Sequence, residues 1–283
     1  MLWLAAGAYG ALAADPTFLR RHVWEVQPKA ADLTTATARY KPLFGAGDAD
    51  ARALRGMARC GELTVDAGGR SELVSYPAEE QIYYVLEGAG QVLYGDGKRA
   101  LKPHDFLYLP VGVRHGVANE SAQPVRVLVM GFKIPAGARA PAPAGVQIAN
   151  AADAKPVMLG ESHGPTVLYE LLMGTTESKR DVLASASQMV SLFIMDFAPG
   201  GTNIPHHHDD AEEIYYVLRG HGDMVAGGGA DGNEGRYPVK EGHAYFFRLN
   251  TTVGFYSATK EGEPHARILA VRSRYPFRQR RSE

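Results

Sequence analysis

Cysteine is all but absent. Cys60 is the only one in 283 residues, so the chain cannot close a disulfide on itself, and any metal it holds is bound through nitrogen and oxygen rather than a thiolate cage. A charge excess is missing too: 30 Lys and Arg stand against 31 Asp and Glu, a formal net charge of −1. That balance leaves no basic field for nucleic-acid phosphates and no polybasic segment for an anionic membrane. Long apolar runs are lacking beyond the N-terminus, and none approaches the roughly 20 residues of a membrane span. Helical periodicity is weak throughout, whereas glycine (32) and proline (17) are plentiful, the balance of a turn-rich, all-β chain. With 45% hydrophobic and 22% charged residues, disorder of the whole chain is excluded. The opening residues 1–14 are uncharged and apolar and end near the small-residue spacing Ala11-Leu12-Ala13. They read as the remnant of a signal peptide without its basic flank, pointing to a periplasmic or secreted protein, and otherwise to a cytoplasmic one.

What is present is a repeat. The segment Ile82-Tyr83-Tyr84-Val85-Leu86-Glu87-Gly88 returns 132 positions later as Ile214-Tyr215-Tyr216-Val217-Leu218-Arg219-Gly220. Two copies at so long a period are two whole domains. A Pro/Ala/Gly stretch from Ile134 to Gly145 separates them, giving an N-terminal domain at 15–145 and a C-terminal domain at 146–283. In each half, short β-branched and aromatic runs alternate with turn residues: Leu63–Val65, Ile82–Leu86, Gln91–Tyr94, Phe106–Leu109 and Val125–Phe132, then Ser191–Phe197, Ile214–Leu218, Tyr245–Phe247 and Arg267–Val271. They predict two small antiparallel barrels or jelly rolls. Asp48–Arg59 reads as a short helix or charged loop, Asp181–Ser187 as helical, and Gly227–Gly229 as part of a hairpin. The arginine-rich tail, with Arg278, Arg280 and Arg281, reads as a solvated terminus or a subunit contact.

The densest chemistry is Pro205-His206-His207-His208, followed by Glu212-Glu213. Residues two apart on a strand share a face, so His206 and His208 point together while His207 points away. Glu213, opening the next strand, adds a carboxylate, and two imidazoles with one carboxylate form a metal-ligand set that leaves coordination positions open. The competing reading is a solvated His/Asp-rich loop.

These residues carry a resemblance. Gly200, His206, His208, Glu213 and Gly220 match the first motif of the cupin superfamily, Gly-x5-His-x-His-x4-Glu-x6-Gly. Pro110, Gly112, His115 and Asn119 resemble the later part of the second motif, and two copies resemble a bicupin. The resemblance implies an all-β fold of two tandem double-stranded β-helix (jelly-roll) barrels. By the repeat offset, Val74, Tyr76 and Gln81 stand in the first half where His206, His208 and Glu213 stand in the second. The N-terminal site is therefore read as degenerate, with Tyr76, Gln81 and His115 as a polar, metal-free remnant. Conversely, Val253 stands where the family's second-motif histidine is expected. The C-terminal site is left with three protein ligands unless His243, Tyr245 or Tyr256 turns inward. Tyr216, Tyr245, Arg248 and Tyr256 are the candidate substrate-pocket residues. The resemblance implies one divalent transition metal, Fe(II) or Mn(II) first, with Zn, Ni or Cu as alternatives. It further implies a small polar organic substrate and a homodimer. Dioxygenase-type chemistry is the first reaction class, beside decarboxylase, isomerase or aminohydrolase activity. The alternative outside catalysis is a bicupin that binds a sugar or small metabolite.

Overall fold

The computed structural model describes residues 16–137, 146–160, 164–229 and 233–276. The expected signal remnant, most of the Pro/Ala/Gly linker, and Arg278, Arg280 and Arg281 lie outside them. The described residues form two tandem jelly-roll barrels, each a large sheet facing a small one. In the first, β2 (Ala38–Gly45), β3 (Met57–Val65), β4 (Glu79–Glu87), β7 (Asp105–Leu109), β9 (Val125–Lys133) and β10 (Gln147–Asn150) run in the order β10-β7-β4-β9-β3-β2. They face β5 (Gly90–Tyr94), β6 (Gly97–Leu101) and β8 (His115–Ala118), ordered β6-β5-β8. In the second, β11 (Val167–Thr175), β12 (Leu183–Ala186), β13 (Met189–Phe197), β14 (Ala211–Arg219), β17 (His243–Phe247) and β19 (Ala266–Arg274) are joined by β1 (Phe18–His22). Their order is β1-β17-β14-β19-β13-β11-β12. The facing sheet is β16-β15-β18, from β15 (His221–Gly227), β16 (Glu234–Lys240) and β18 (Thr252–Ser257).

The end strands are exchanged. β1, from the start of the chain, pairs with β17 of the second barrel, and β10, just past the linker, pairs with β7 of the first. Each large sheet thus borrows a strand from the other side of residue 145. Asp48–Arg59 is a loop with a single 3-10 turn at Ala51–Ala53 before β3 begins, whereas the helix expected over Asp181–Ser187 is not formed: Leu183–Ala186 is a strand running parallel to β11. Both segments are held by tertiary pairing rather than by local propensity.

Three cores follow from the two-residue period of the strands. Tyr83 and Val85 of β4 pack inside the first barrel with Val92 and Val117 of its small sheet. Tyr215 and Val217 of β14 pack inside the second with Met224 and Phe255. The alternate residues, Ile82 and Tyr84, Ile214 and Tyr216, face outward and meet in a third core between the two large sheets. The Ile-Tyr-Tyr-Val run is apolar on both faces because both faces are covered. The glycine closing each copy turns a corner at positive φ, 77° at Gly88 and 83° at Gly220. A Cβ there would come 2.3 Å from the Pro124 carbonyl oxygen or 2.6 Å from Ala266 Cα, so only glycine fits.

The barrels are also latched by charge. Glu80 accepts backbone N–H bonds from Ser187, Gln188 and Met189 at 2.9, 2.7 and 2.7 Å. Its repeat partner Glu212 accepts from Arg55, Gly56 and Met57 at 2.7, 2.8 and 3.2 Å. The same glutamate in each copy grips the same loop of the other, and both carboxylates are fully buried.

Candidate metal centre

The register of the two barrels aligns their sites. In the first, Val74 and His115 exchange backbone N–H bonds at 2.9 Å. In the second, His206 and Val253 do so at 2.9 and 2.7 Å. Each bridge joins the first-motif position to the second-motif position, and the two halves have kept opposite histidines. The turn before the second-motif position agrees: Gly112 and Asn250 adopt positive φ of 75° and 59°, and asparagine is among the few non-glycine residues that tolerate this conformation. Val253 therefore stands where His115 stands, and its alkyl side chain ligates nothing.

In the second barrel His206, His208 and Glu213 line one pocket, while His207 is exposed. Glu213 is inward on β14 and 1% exposed; its Oε2 lies 3.2 Å from His208 Nε2. Neither atom has a hydrogen-bond partner among the described residues. His206 is set by its backbone. Ile204, a β-branched residue at φ 51°, turns its carbonyl to accept from His206 Nδ1 at 2.8 Å, which places the lone pair on Nε2. That strain, costing about 1–2 kcal/mol, is spent where the ring must be oriented. The His206 ring stands edge-on to His208 at 4.9 Å between centroids. Among the described residues no group of three His, Cys, Asp or Glu side chains is gathered closely enough to hold a metal ion. The expected triad is thus brought to one pocket, with two members in contact and the third beside them.

The rest of the lining differs from expectation. Tyr216 is three positions from Glu213, hence on the opposite face of the strand. Its hydroxyl crosses the barrel interface to Glu62 Oε2 at 3.4 Å. Tyr245 opens into a separate cavity beside β1. Arg248 donates to the Pro16 carbonyl at 3.4 Å, and Tyr256 lies under the Arg236 guanidinium at 4.0 Å. Their places are taken by Tyr169, Arg180, Ser191, Tyr215 and Arg272. Strand parity identifies Tyr215, two positions from Glu213. Arg272 is found by pairing alone, since β19 sets it opposite both Ser191 and Glu213. Its Nε lies 3.9 Å from Glu213 Oε1 and has no hydrogen-bond partner among the described residues. Burial, reinforced by the Glu213 charge, pushes the Tyr169 and Tyr215 phenols up, so both stay neutral near pH 7. The pocket's free volume is about 20 Å³, room for one ion or water. A shallower groove of about 460 Å³ adjoins it across Leu159, Leu171 and Arg180.

In the first barrel Tyr76 lies against His115, with 5.7 Å between ring centroids, and Gln81 is joined to Arg59 through Glu79. Arg59 stacks on Tyr76 at 4.0 Å, donates to the Tyr76 hydroxyl at 2.9 Å, and pairs with Glu79 and Asp32. Gln81 donates to Glu79 at 2.8 Å. His115 lies 2.8 Å from the Val113 carbonyl and 3.1 Å from the Tyr83 hydroxyl, and burial lowers its pKa to about 4. An unfolded histidine takes up its proton near pH 6.5, whereas the folded barrel refuses it down to about 4. This histidine therefore costs stability as the pH falls through that window. Between pH 7 and pH 5 the wild type should lose about 2 kcal/mol more than His115→Gln in urea unfolding. Equal losses would contradict a buried neutral imidazole.

The family model described as "Cupin domain" matches residues 61–131 and 193–271. The uncharacterized protein MJ1618 of Methanocaldococcus jannaschii is 30% identical over 71 residues, 25% of this chain; the chain spans 57% of the length of that curated relative. Solved structures share the whole architecture. The E. coli protein YlbA is 16% identical, with a TM-score of 0.69 over 96% of this chain and 97% of its own. A putative glyoxylate induced protein from Pseudomonas aeruginosa is 17% identical, with a TM-score of 0.71 over 97% of each. An oxalate decarboxylase from Lactobacillus farciminis is 13% identical, with a TM-score of 0.68 over 95% of this chain and 88% of its own.

Proposed function

The chain belongs to the cupin family in both of its halves, and we propose that it is a metal-dependent bicupin enzyme whose C-terminal barrel acts on a small organic carboxylate. The observation that carries this reading is the buried contact of His208 Nε2 with Glu213 Oε2. Two atoms that ordinarily carry lone pairs face each other without a hydrogen-bond partner among the described residues, beside a space the size of one ion. An imidazole and carboxylate set without thiolate fits a divalent transition metal, Fe(II) or Mn(II) first. His206, His208 and Glu213 would hold it, and closing the set requires the His206 ring to move onto the other two.

When bound, such an ion supplies a Lewis acid with positions open to substrate or dioxygen, which keeps dioxygenase-type chemistry first and decarboxylation beside it. The remaining groups select the substrate. Arg272 offers a partly buried guanidinium to a carboxylate, Arg180 stands at the mouth, and the Tyr169 and Tyr215 phenols are neutral hydroxyls beside the ligands. Substrate enters from the groove lined by Leu159, Leu171 and Arg180.

The test has two parts. Malonate binding, followed by calorimetry, should weaken about tenfold or more in Arg272→Gln with metal content retained; unchanged binding contradicts the carboxylate assignment. Metal-loaded protein is then screened against two- to four-carbon acids for oxygen uptake and carbon dioxide release. Oxygen uptake supports the dioxygenase reading, and carbon dioxide release without it supports decarboxylation. Malonate binding with no turnover of any acid supports the non-catalytic binder.

A further inference from the structure

The exchanged strand β1 lays a block of hydrogen-bond donors against the second barrel. It runs antiparallel to β17 with Arg20 opposite Tyr245 and His22 opposite His243. Residues two apart on a strand share a face, so the four side chains form one two-by-two array. They border a cavity of about 320 Å³, to which Arg21 and Glu25 also contribute. That is room for about ten waters, more than a bare ion needs and at the lower end of small-molecule sites.

Each polar group of the array is a donor or becomes one on protonation. Arg20 pairs with no carboxylate among the described residues; its guanidinium lies over the Tyr237 ring at 5.0 Å. The Lys240 N–H donates to His243 Nδ1 at 3.2 Å, so the neutral ring carries its proton on Nε2. In the charged ring Nδ1 donates instead to the Lys240 carbonyl at 3.0 Å, and Nε2 keeps its proton. His22 Nδ1 lies 3.5 Å from Glu25 Oε1, which leaves Nε2 to take the second proton. That nitrogen belongs to a side chain only 10% exposed and has no hydrogen-bond partner among the described residues. The Tyr245 hydroxyl, buried beside the Arg20 guanidinium, also lacks a partner in hydrogen-bond geometry. The two imidazoles stack with 4.2 Å between centroids and 14° between planes, and they repel when both are charged unless an anion lies beside them. Arg21 is engaged by Asp48 and Asp50 at 3.0 and 2.7 Å, and Glu25 is exposed.

We propose that this cavity is a second ligand site, separate from the C-terminal pocket, for a small organic phosphate whose phosphoryl oxygens accept from Arg20, His22, His243 and Tyr245. A phosphoryl group carries three acceptor oxygens and a charge of about −1.5 to −2 near pH 7, which answers a guanidinium and an imidazole pair. A carboxylate, with one charge and two oxygens, matches them less well. The rest of the volume takes the organic part. Arg20 and His22 come from the start of the chain, His243 and Tyr245 from the second barrel. A ligand spanning both strands therefore stabilises the strand exchange.

The site is tested by titrating glycerol 3-phosphate into untagged His208→Ala protein, where the C-terminal pocket has lost a metal ligand. Calorimetry should show about one molecule per chain with a Kd on the order of 0.1 mM, weakened about tenfold or more by adding Arg20→Gln or, separately, His243→Gln. Arg20 is exposed, so its replacement leaves the fold intact. In the His208→Ala chain, which needs neither further substitution, the ligand should also slow hydrogen exchange of the β1 amides. No binding, or affinity unchanged in both double variants, overturns the proposal. Malonate bound as tightly and with the same dependence on Arg20 overturns the phosphate assignment.

Discussion

Replacing Glu80 with alanine is expected to destabilise the protein by about 4 kcal/mol, and Glu212→Ala by a similar amount, measured by urea unfolding. Each substitution strips three backbone N–H groups of their acceptor at the junction of the barrels. A buried donor left without a partner costs about 1–3 kcal/mol, so three outweigh the desolvation relieved by removing one carboxylate. Tyr108, whose hydroxyl donates to Glu80 at 3.0 Å, loses its partner as well. Glutamine keeps the acceptor oxygen but brings an amide that must find its own acceptor, so Glu80→Gln should fall between wild type and alanine. The loops gripped by the two carboxylates also start β3 and β13, so their release loosens the strands that carry Arg59 and Ser191. A loss below about 1 kcal/mol in both alanine variants would mean that the apolar core between the sheets holds the barrels without the latches.

The second large effect concerns the pocket. His208→Ala should remove the metal and lower turnover on the order of a thousandfold, because it takes away a ligand and leaves Glu213 buried without the imidazole it faces. His207→Ala is the matched control: the neighbouring ring is exposed and should change neither metal content nor rate. His115→Ala should also leave the metal in place, since that imidazole belongs to the other barrel, where it is held by the Val113 carbonyl and the Tyr83 hydroxyl. Comparable losses in His207→Ala and His208→Ala would turn the cluster back into a surface loop with no preferred face.

Much of this was legible in the sequence, for reasons that also mark where reading stops. The repeat and the Ile-Tyr-Tyr-Val strands stand out because they are apolar on both faces. Alternation alone separates His206 and His208 from His207. The same alternation, carried one step further, excludes Tyr216 and admits Tyr215. Val253 was identifiable as a missing ligand, and its bridge to His206 places it there. Strand pairing was not readable. Arg272 reaches Glu213 because β19 lies between β13 and β14, and β1 joins the far barrel because of chain exchange; neither fact has a local signature. The latches were missed for a related reason. Glu80 and Glu212 look like solvated charges flanking a strand, and only the facing loop reveals three donors waiting for each.

The most direct test of the central claim is Mn²⁺ binding to untagged protein, by equilibrium dialysis with plasma mass spectrometry on wild type, His115→Ala and His208→Ala. Mn²⁺ is chosen because imidazole nitrogen and carboxylate oxygen together suit it. The account predicts about one ion per chain in wild type and in His115→Ala, and none in His208→Ala. No Mn²⁺ in wild type, or an ion retained by His208→Ala, would contradict the assignment of a metal centre to the C-terminal barrel.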